Sequence, residues 1–155
     1  MERTQLLNEI ELLLNPAQFK DYCPNGLQVE GRNSITKIAC AVTASQAAID
    51  AAVEWGADAL LVHHGYFWRG EDASIVGMKY QRVRRLIEAN VNLIAYHLPL
   101  DAHPSLGNNA QLAQKLGLSV SGQSPTEPLV WYGTHSANPT LAHFCQMAET
   151  ALGRK

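Results

Sequence analysis

Apolar residues recur at helical spacing near the start of the chain: Leu6, Leu7, Ile10, Leu13 and Leu14. Thr4 stands where a cap is expected and Asn15-Pro16 where a helix must stop, so the pattern predicts a helix over 4–14. The following DYCPNGLQVEG stretch holds Pro24, Asn25, Gly26 and Gly31 and reads as turns around a short extended piece, either an ordinary structured loop or one whose polar side chains over 21–29 meet a ligand. From there the pattern alternates. Residues 35–42 are strand-like, and Thr43-Ala44-Ser45 then caps a helix that ends at Gly56. Residues 57–62 form a short apolar run of buried-strand type. Residues 76–89 are amphipathic, with Val83, Leu86 and Ile87 on one side. Residues 91–96 make a third strand, and Asn108 or Asn109 starts a short helix ending at Gly117.

Strands separated by helices of this length predict an α/β fold: a mostly parallel or mixed sheet flanked by helices. Past Gly117 the pattern loosens. Residues 119–127 read as a linker or edge strand, 128–132 as a strand and 141–152 as a helix. The expected division is an N-terminal α/β domain over 1–122, then a linker and the start of a second domain over 123–155.

Composition narrows the class. The chain has 155 residues, 46% of them hydrophobic and 17% charged, as in an ordinary globular domain. A formal net charge of -2 gives no general basic excess for gripping phosphates. One basic cluster exists, at Lys79, Arg82, Arg84 and Arg85. Cys23, Cys40 and Cys145 are odd in number and form no Cys-x-x-Cys pair, which argues against a disulfide framework and for a reducing, cytoplasmic home. No apolar run reaches the roughly 20 residues that span a bilayer, and acidic residues interrupt the N-terminal stretch, so no signal peptide is expected. Cys40, in an apolar strand, is expected in the core.

The chemistry gathers at two strand ends. One predicted strand runs into His63-His64, another into His97, Asp101 and His103. Ligands of parallel sheets collect at the carboxyl ends of strands, and imidazole with carboxylate suits Zn, Mn or Fe. Neighbouring strand residues point to opposite sides. Adjacent histidines therefore suit two neighbouring ions better than one, with Asp101 able to bridge. Each residue has a plainer reading alone: His97 as a core histidine bonded to a carbonyl, Asp101 as a turn or cap residue. His103 follows the turn, and His135 and His143 fall outside any ligand spacing and read as surface. The aromatic run Tyr66-Phe67-Trp68 could stack a planar ring or pack on the sheet edge.

PNGLQVEG at 24–31, VTAS at 42–45, VHHGYFW at 62–68 and HLPLDAHPSLGNNAQLA at 97–113 together resemble the Nif-three-like dinuclear-metal proteins, often labelled GTP cyclohydrolase 1 type 2 homologues. The resemblance implies the Nif-three-like fold with a second domain inserted, homo-oligomeric rings (often hexamers) and two divalent ions per subunit. Residue by residue, it implies His63, His64 and Asp101 as metal ligands and His97 as a polar group in the same pocket, placed to orient water or shuttle a proton in catalysis. The family takes a further His and Glu from a later motif. This sequence ends before one, so the expectation is an incomplete fold that holds at most one ion well.

Two functions of different class follow. One is a metal-dependent hydrolase of a nucleotide-like small substrate. The other is a non-enzymatic metal-binding ring that engages protein or nucleic acid, as in DNA repair, through the basic cluster. No membrane partner is expected.

Overall fold

The computed structural model describes residues 1–154; Lys155, the last residue of the expected second segment, lies outside the described residues. The chain divides into two compact units, Met1–Pro99 and Leu100–Lys155. Two strands after Pro99 form a separate two-stranded sheet.

In the first unit, α1 (Arg3–Leu14) begins one residue before Thr4, with Glu2 at its cap position, and stops where Asn15 turns left-handed ahead of Pro16. A short 3-10 turn follows at Pro16–Gln18. The four strands are β1 (Gly26–Val29), β2 (Ile38–Thr43), β3 (Ala59–His64) and β4 (Asn92–Ala95). They lie in the order β1-β4-β3-β2. β2, β3 and β4 are parallel, and β1 runs antiparallel to β4. The sheet is therefore mixed, as the pattern predicts.

Two helices make the crossovers. α2 (Gln46–Trp55) starts at Ser45, whose hydroxyl accepts from the Ala48 N–H, and ends at left-handed Gly56. α3 (Gly77–Glu88) lies between β3 and β4. Ile49 and Ala52 of α2, Leu60 and Val62 of β3, and Val83 and Leu86 of α3 share one core with Leu93 and Ala95 of β4. Each large side chain buried there contributes roughly 1.5–3 kcal/mol. The expectation for Cys40 is corrected: its thiol is exposed on the same face of β2 as Ile38 and Val42, 37% and 69% exposed, while the alternate Ala39 and Ala41 pack against the core.

A buried polar pin holds the amino ends of the parallel strands. Asp58 accepts from the Thr36 and Lys37 N–H groups, the Thr36 hydroxyl and Arg32. Burial works to raise its pKa, but these donors outweigh burial and bring it down to about 2. Asn92, fully buried, accepts from the Gly31 N–H and donates to the carbonyls of Arg32 and Asp58. Gly31 must be glycine, since a Cβ there would lie 2.5 Å from the Asn92 nitrogen.

In the second unit, α5 (Asn108–Lys115) precedes a hairpin of β5 (Leu118–Gln123) and β6 (Trp131–His135). α6 (Leu141–Leu152) follows, capped by the Thr140 hydroxyl and ended by left-handed Gly153. A short helix that the sequence pattern does not predict, α4 (Leu98–Ala102), straddles the boundary between the units. No helix among the described residues is long and apolar enough to cross a membrane.

Candidate metal centre

The carboxyl ends of β3 and β4 bring three histidines together. β3 extends through His63 and His64, and His97 follows two residues after β4. Ring centroids lie 4.4 Å apart for His63 and His64, 4.8 Å for His63 and His97, and 5.7 Å for His64 and His97. One ligating nitrogen from each falls within 4.8 Å of the other two. This modifies the opposite-face argument for the adjacent pair. At the last two positions of β3 each ring leans toward a different neighbouring strand, yet the rings remain side by side.

Each imidazole is held at Nδ1 by an oxygen. His63 Nδ1 lies 3.3 Å from the Tyr96 carbonyl, at the end of β4. His64 Nδ1 lies 3.1 Å from Thr43 Oγ1, and Thr43 is its register partner on β2. His97 Nδ1 lies 2.7 Å from Asp21 Oδ1. Proteins orient metal-binding histidines in this way, since an anchored Nδ1 fixes the tautomer and directs Nε2 at the ion.

Asp21 opens the loop that the sequence offers as an ordinary turn or a ligand contact, with no role assigned to the acid itself. Its side chain is 4% exposed. Burial works to raise its pKa, but hydrogen bonds from His97, Asn25 and the Leu98 and Tyr22 N–H groups outweigh burial and hold the carboxyl below its ordinary value. The segment ahead of β1 reaches this edge because β1 is antiparallel, pairing Gly26 with Ala95. The only signal in the sequence was an acid at the head of a turn-rich loop. Cys23 also lies within ligand distance of Asp21 and His97. Burial, helped by the Asp21 charge, pushes its thiol up to about 11.

The loop after His64 closes over the cluster. Gly65 is required by close approach, since a Cβ there would stand 2.8 Å from the Ala95 Cβ. The three aromatics separate in role. Tyr66 is buried, and its hydroxyl donates to the Ala44 carbonyl. Phe67 sits in the left-handed region at φ 65, a strained position for a side chain of this size, with Lys79 over its ring. Trp68 faces the site, edge-on to His97 at 4.9 Å and 6.1 Å from His64. Arg69 latches this loop to the Asp21 loop by donating to the carbonyls of Tyr22 and Asp21.

Asp101 lies on α4 in the second unit, where Asn108 donates to its carboxylate at 2.8 Å. His103 Nδ1 accepts from the Ser105 and Leu106 N–H groups as a turn cap. His135 accepts from the Ala137 N–H, and His143 is exposed on α6.

The fold and this cluster define a mixed α/β protein with three oriented imidazoles at the carboxyl edge of its sheet. The chain belongs to the Duf34/NIF3 (NGG1p interacting factor 3) family, whose pattern matches residues 1–155. It is 51% identical over its whole length to the GTP cyclohydrolase 1 type 2 homolog of Escherichia coli and 50% identical to that of Pseudomonas aeruginosa, covering 62% and 61% of those proteins. The solved structure of a protein called ybgI superposes with a TM-score of 0.93 at 50% identity, with all of this chain and 62% of that one covered. A Thermus thermophilus crystal structure gives 0.88 at 36% identity, with 99% and 62% covered. The chain thus spans about six-tenths of the length of these relatives.

Proposed function

We propose that this chain is the metal-binding part of a divalent-metal protein, and that His63, His64 and His97 supply the imidazole ligands. The observation that carries the reading is the three-histidine cluster with every Nδ1 held by an oxygen. The donor set fits the group: Nε2 donors suit Zn, Mn or Fe, and three protein ligands are what catalytic zinc sites commonly use. Asp101 is proposed as a carboxylate ligand from its place in the family-like motif, which would allow the second ion of a dinuclear centre. A bound divalent ion supplies Lewis acidity toward a substrate oxygen. The chain's own residues do the rest. Thr43, the Tyr96 carbonyl and Asp21 orient the rings, and Trp68 shields one side of the cluster.

The activity that suits such a centre is hydrolysis of a nucleotide-like small substrate, in keeping with the GTP cyclohydrolase 1 type 2 label of the relatives. A His97 left free of the ion would instead serve as the base, its Nε2 taking the proton while Asp21 backs Nδ1, and the metal affinity of His97→Ala separates the two roles. A homo-oligomeric ring and a cytoplasmic location belong to the same reading; three unbridged cysteines suit that compartment. A scaffold that grips nucleic acid finds less support. Lys79, Arg84 and Arg85 of the basic cluster are paired with Glu71, Glu88 and Asp50.

The test is zinc and manganese titration of the purified chain, read by calorimetry and elemental analysis. The reading expects one tightly held ion per chain and its loss in His64→Ala. A chain that binds neither metal better than His64→Ala would overturn it.

A further inference from the structure

We infer that Asp21 is the positioning residue of the histidine cluster: its buried carboxylate takes the Nδ1–H of His97 and turns Nε2 toward His63 and His64. The inference rests on the metal reading above and deepens it at one contact, the carboxylate behind His97.

The geometry is specific in four ways. The Asp21 carboxylate is buried and meets His97 Nδ1 at 2.7 Å. Its other contacts are all donors: the Tyr22 N–H on Oδ1, and Asn25 Nδ2 and the Leu98 N–H on Oδ2. With the proton of His97 on Nδ1, all four of these contacts are donors and only an ionised carboxylate satisfies the set, whereas an amide would turn an NH2 against a donor. Asn25 from the same loop accepts from the His97 N–H at 2.8 Å. Backbone and ring of His97 are thereby fixed by one short segment, while His63 and His64 are fixed by their neighbouring strands.

A carboxylate behind an imidazole does two things. It selects the tautomer with the proton on Nδ1, and it makes Nε2 a stronger donor. Loss of such a partner commonly lowers metal affinity 10–100-fold. A purely structural Asp21, acting as the first-turn cap of α4 through Leu98, would instead change stability and leave the tautomer of His97 alone.

The experiment has two arms. In the first, long-range proton–nitrogen NMR of the unaltered, metal-free chain assigns the His97 tautomer. Protonation on Nδ1 is expected, and protonation on Nε2 overturns the inference without any variant having to fold. In the second, zinc affinity by chelator competition and the visible spectrum of the cobalt-substituted protein are recorded for the unaltered chain, Asp21→Asn, His97→Ala and the double variant. The expected result is a 10–100-fold loss and an altered cobalt spectrum in Asp21→Asn, with less than about a threefold further loss once His97 is absent. An unchanged affinity and spectrum, or an equal loss with and without His97, overturns the inference. Failure of the metal reading looks different, since the unaltered chain then binds no zinc.

Discussion

Two buried carboxylates stand at opposite ends of the same sheet. Asp58 lies at the amino ends of the parallel strands and Asp21 at their carboxyl ends. Both accept several hydrogen bonds, and both are held below the ordinary carboxylate range against the opposing effect of burial. They differ in what receives them. Every partner of Asp58 is a backbone N–H, a hydroxyl or a guanidinium, and the network ends in the fold itself. One partner of Asp21 is an imidazole whose ring lies 4.8 Å from a second histidine. A buried carboxylate is thus a structural pin when its donors have nothing further to present. It becomes part of a site when a donor carries a second functional nitrogen.

The comparison breaks most sharply at Asp58. Asp58→Ala strands several buried donors, and we expect a loss of stability of about 3–5 kcal/mol, measured by urea unfolding. The fraction that remains folded should bind zinc as before. A comparable loss of stability in Asp21→Asn, with unchanged metal affinity, would erase the distinction between the two carboxylates.

Gly31→Ala sharpens it from the same end. A methyl group 2.5 Å from a backbone nitrogen forces β1 away from β4, and a loss of about 2 kcal/mol or more is expected in thermal melts.

The pH dependence separates the two carboxylates further. The folded pKa of Asp58 is depressed from 3.8 to about 2. Its contribution to stability is therefore fully present above pH 3.8 and is lost as pH falls through 2. Acid titration of unfolding should show Asp58→Asn less stable than the parent at neutral pH, with the gap closing only in that acidic window. A gap that closes near pH 6 would assign the pin to another group.

The smallest effect belongs to the third orienting contact. Thr43→Val removes the oxygen beside His64 Nδ1 and should weaken zinc binding by less than about tenfold. Calorimetry that shows no change would mean that the Thr43 contact does not orient His64.

Much of this was legible in the sequence, and the exceptions have physical causes. The parallel strands, the Ser45 cap and the Gly56 stop all follow from local pattern, because each is decided within a few residues. The grouping of His63, His64 and His97 also follows, since parallel strands place their carboxyl ends at one edge. Asp21 was not legible. Its place depends on β1 running antiparallel to β4, a non-local pairing that no periodicity encodes. Cys40 misled for a related reason: an apolar run does not reveal that only one face of its strand, that of Ala39 and Ala41, is covered. The five-residue helix α4 was missed because Leu98–Ala102 contains a proline and is too short to show a helical period.

The central claim is that these three histidines, and not histidines in general, hold the ion. The most direct measurement is chelator-competition zinc affinity for the unaltered chain beside His64→Ala and His103→Ala. His103 serves as the control because it lies near His97 in the chain but works as a turn cap. The account predicts at least a hundredfold loss in His64→Ala and a change of less than about threefold in His103→Ala. Equal losses in the two variants, or none in either, would contradict it.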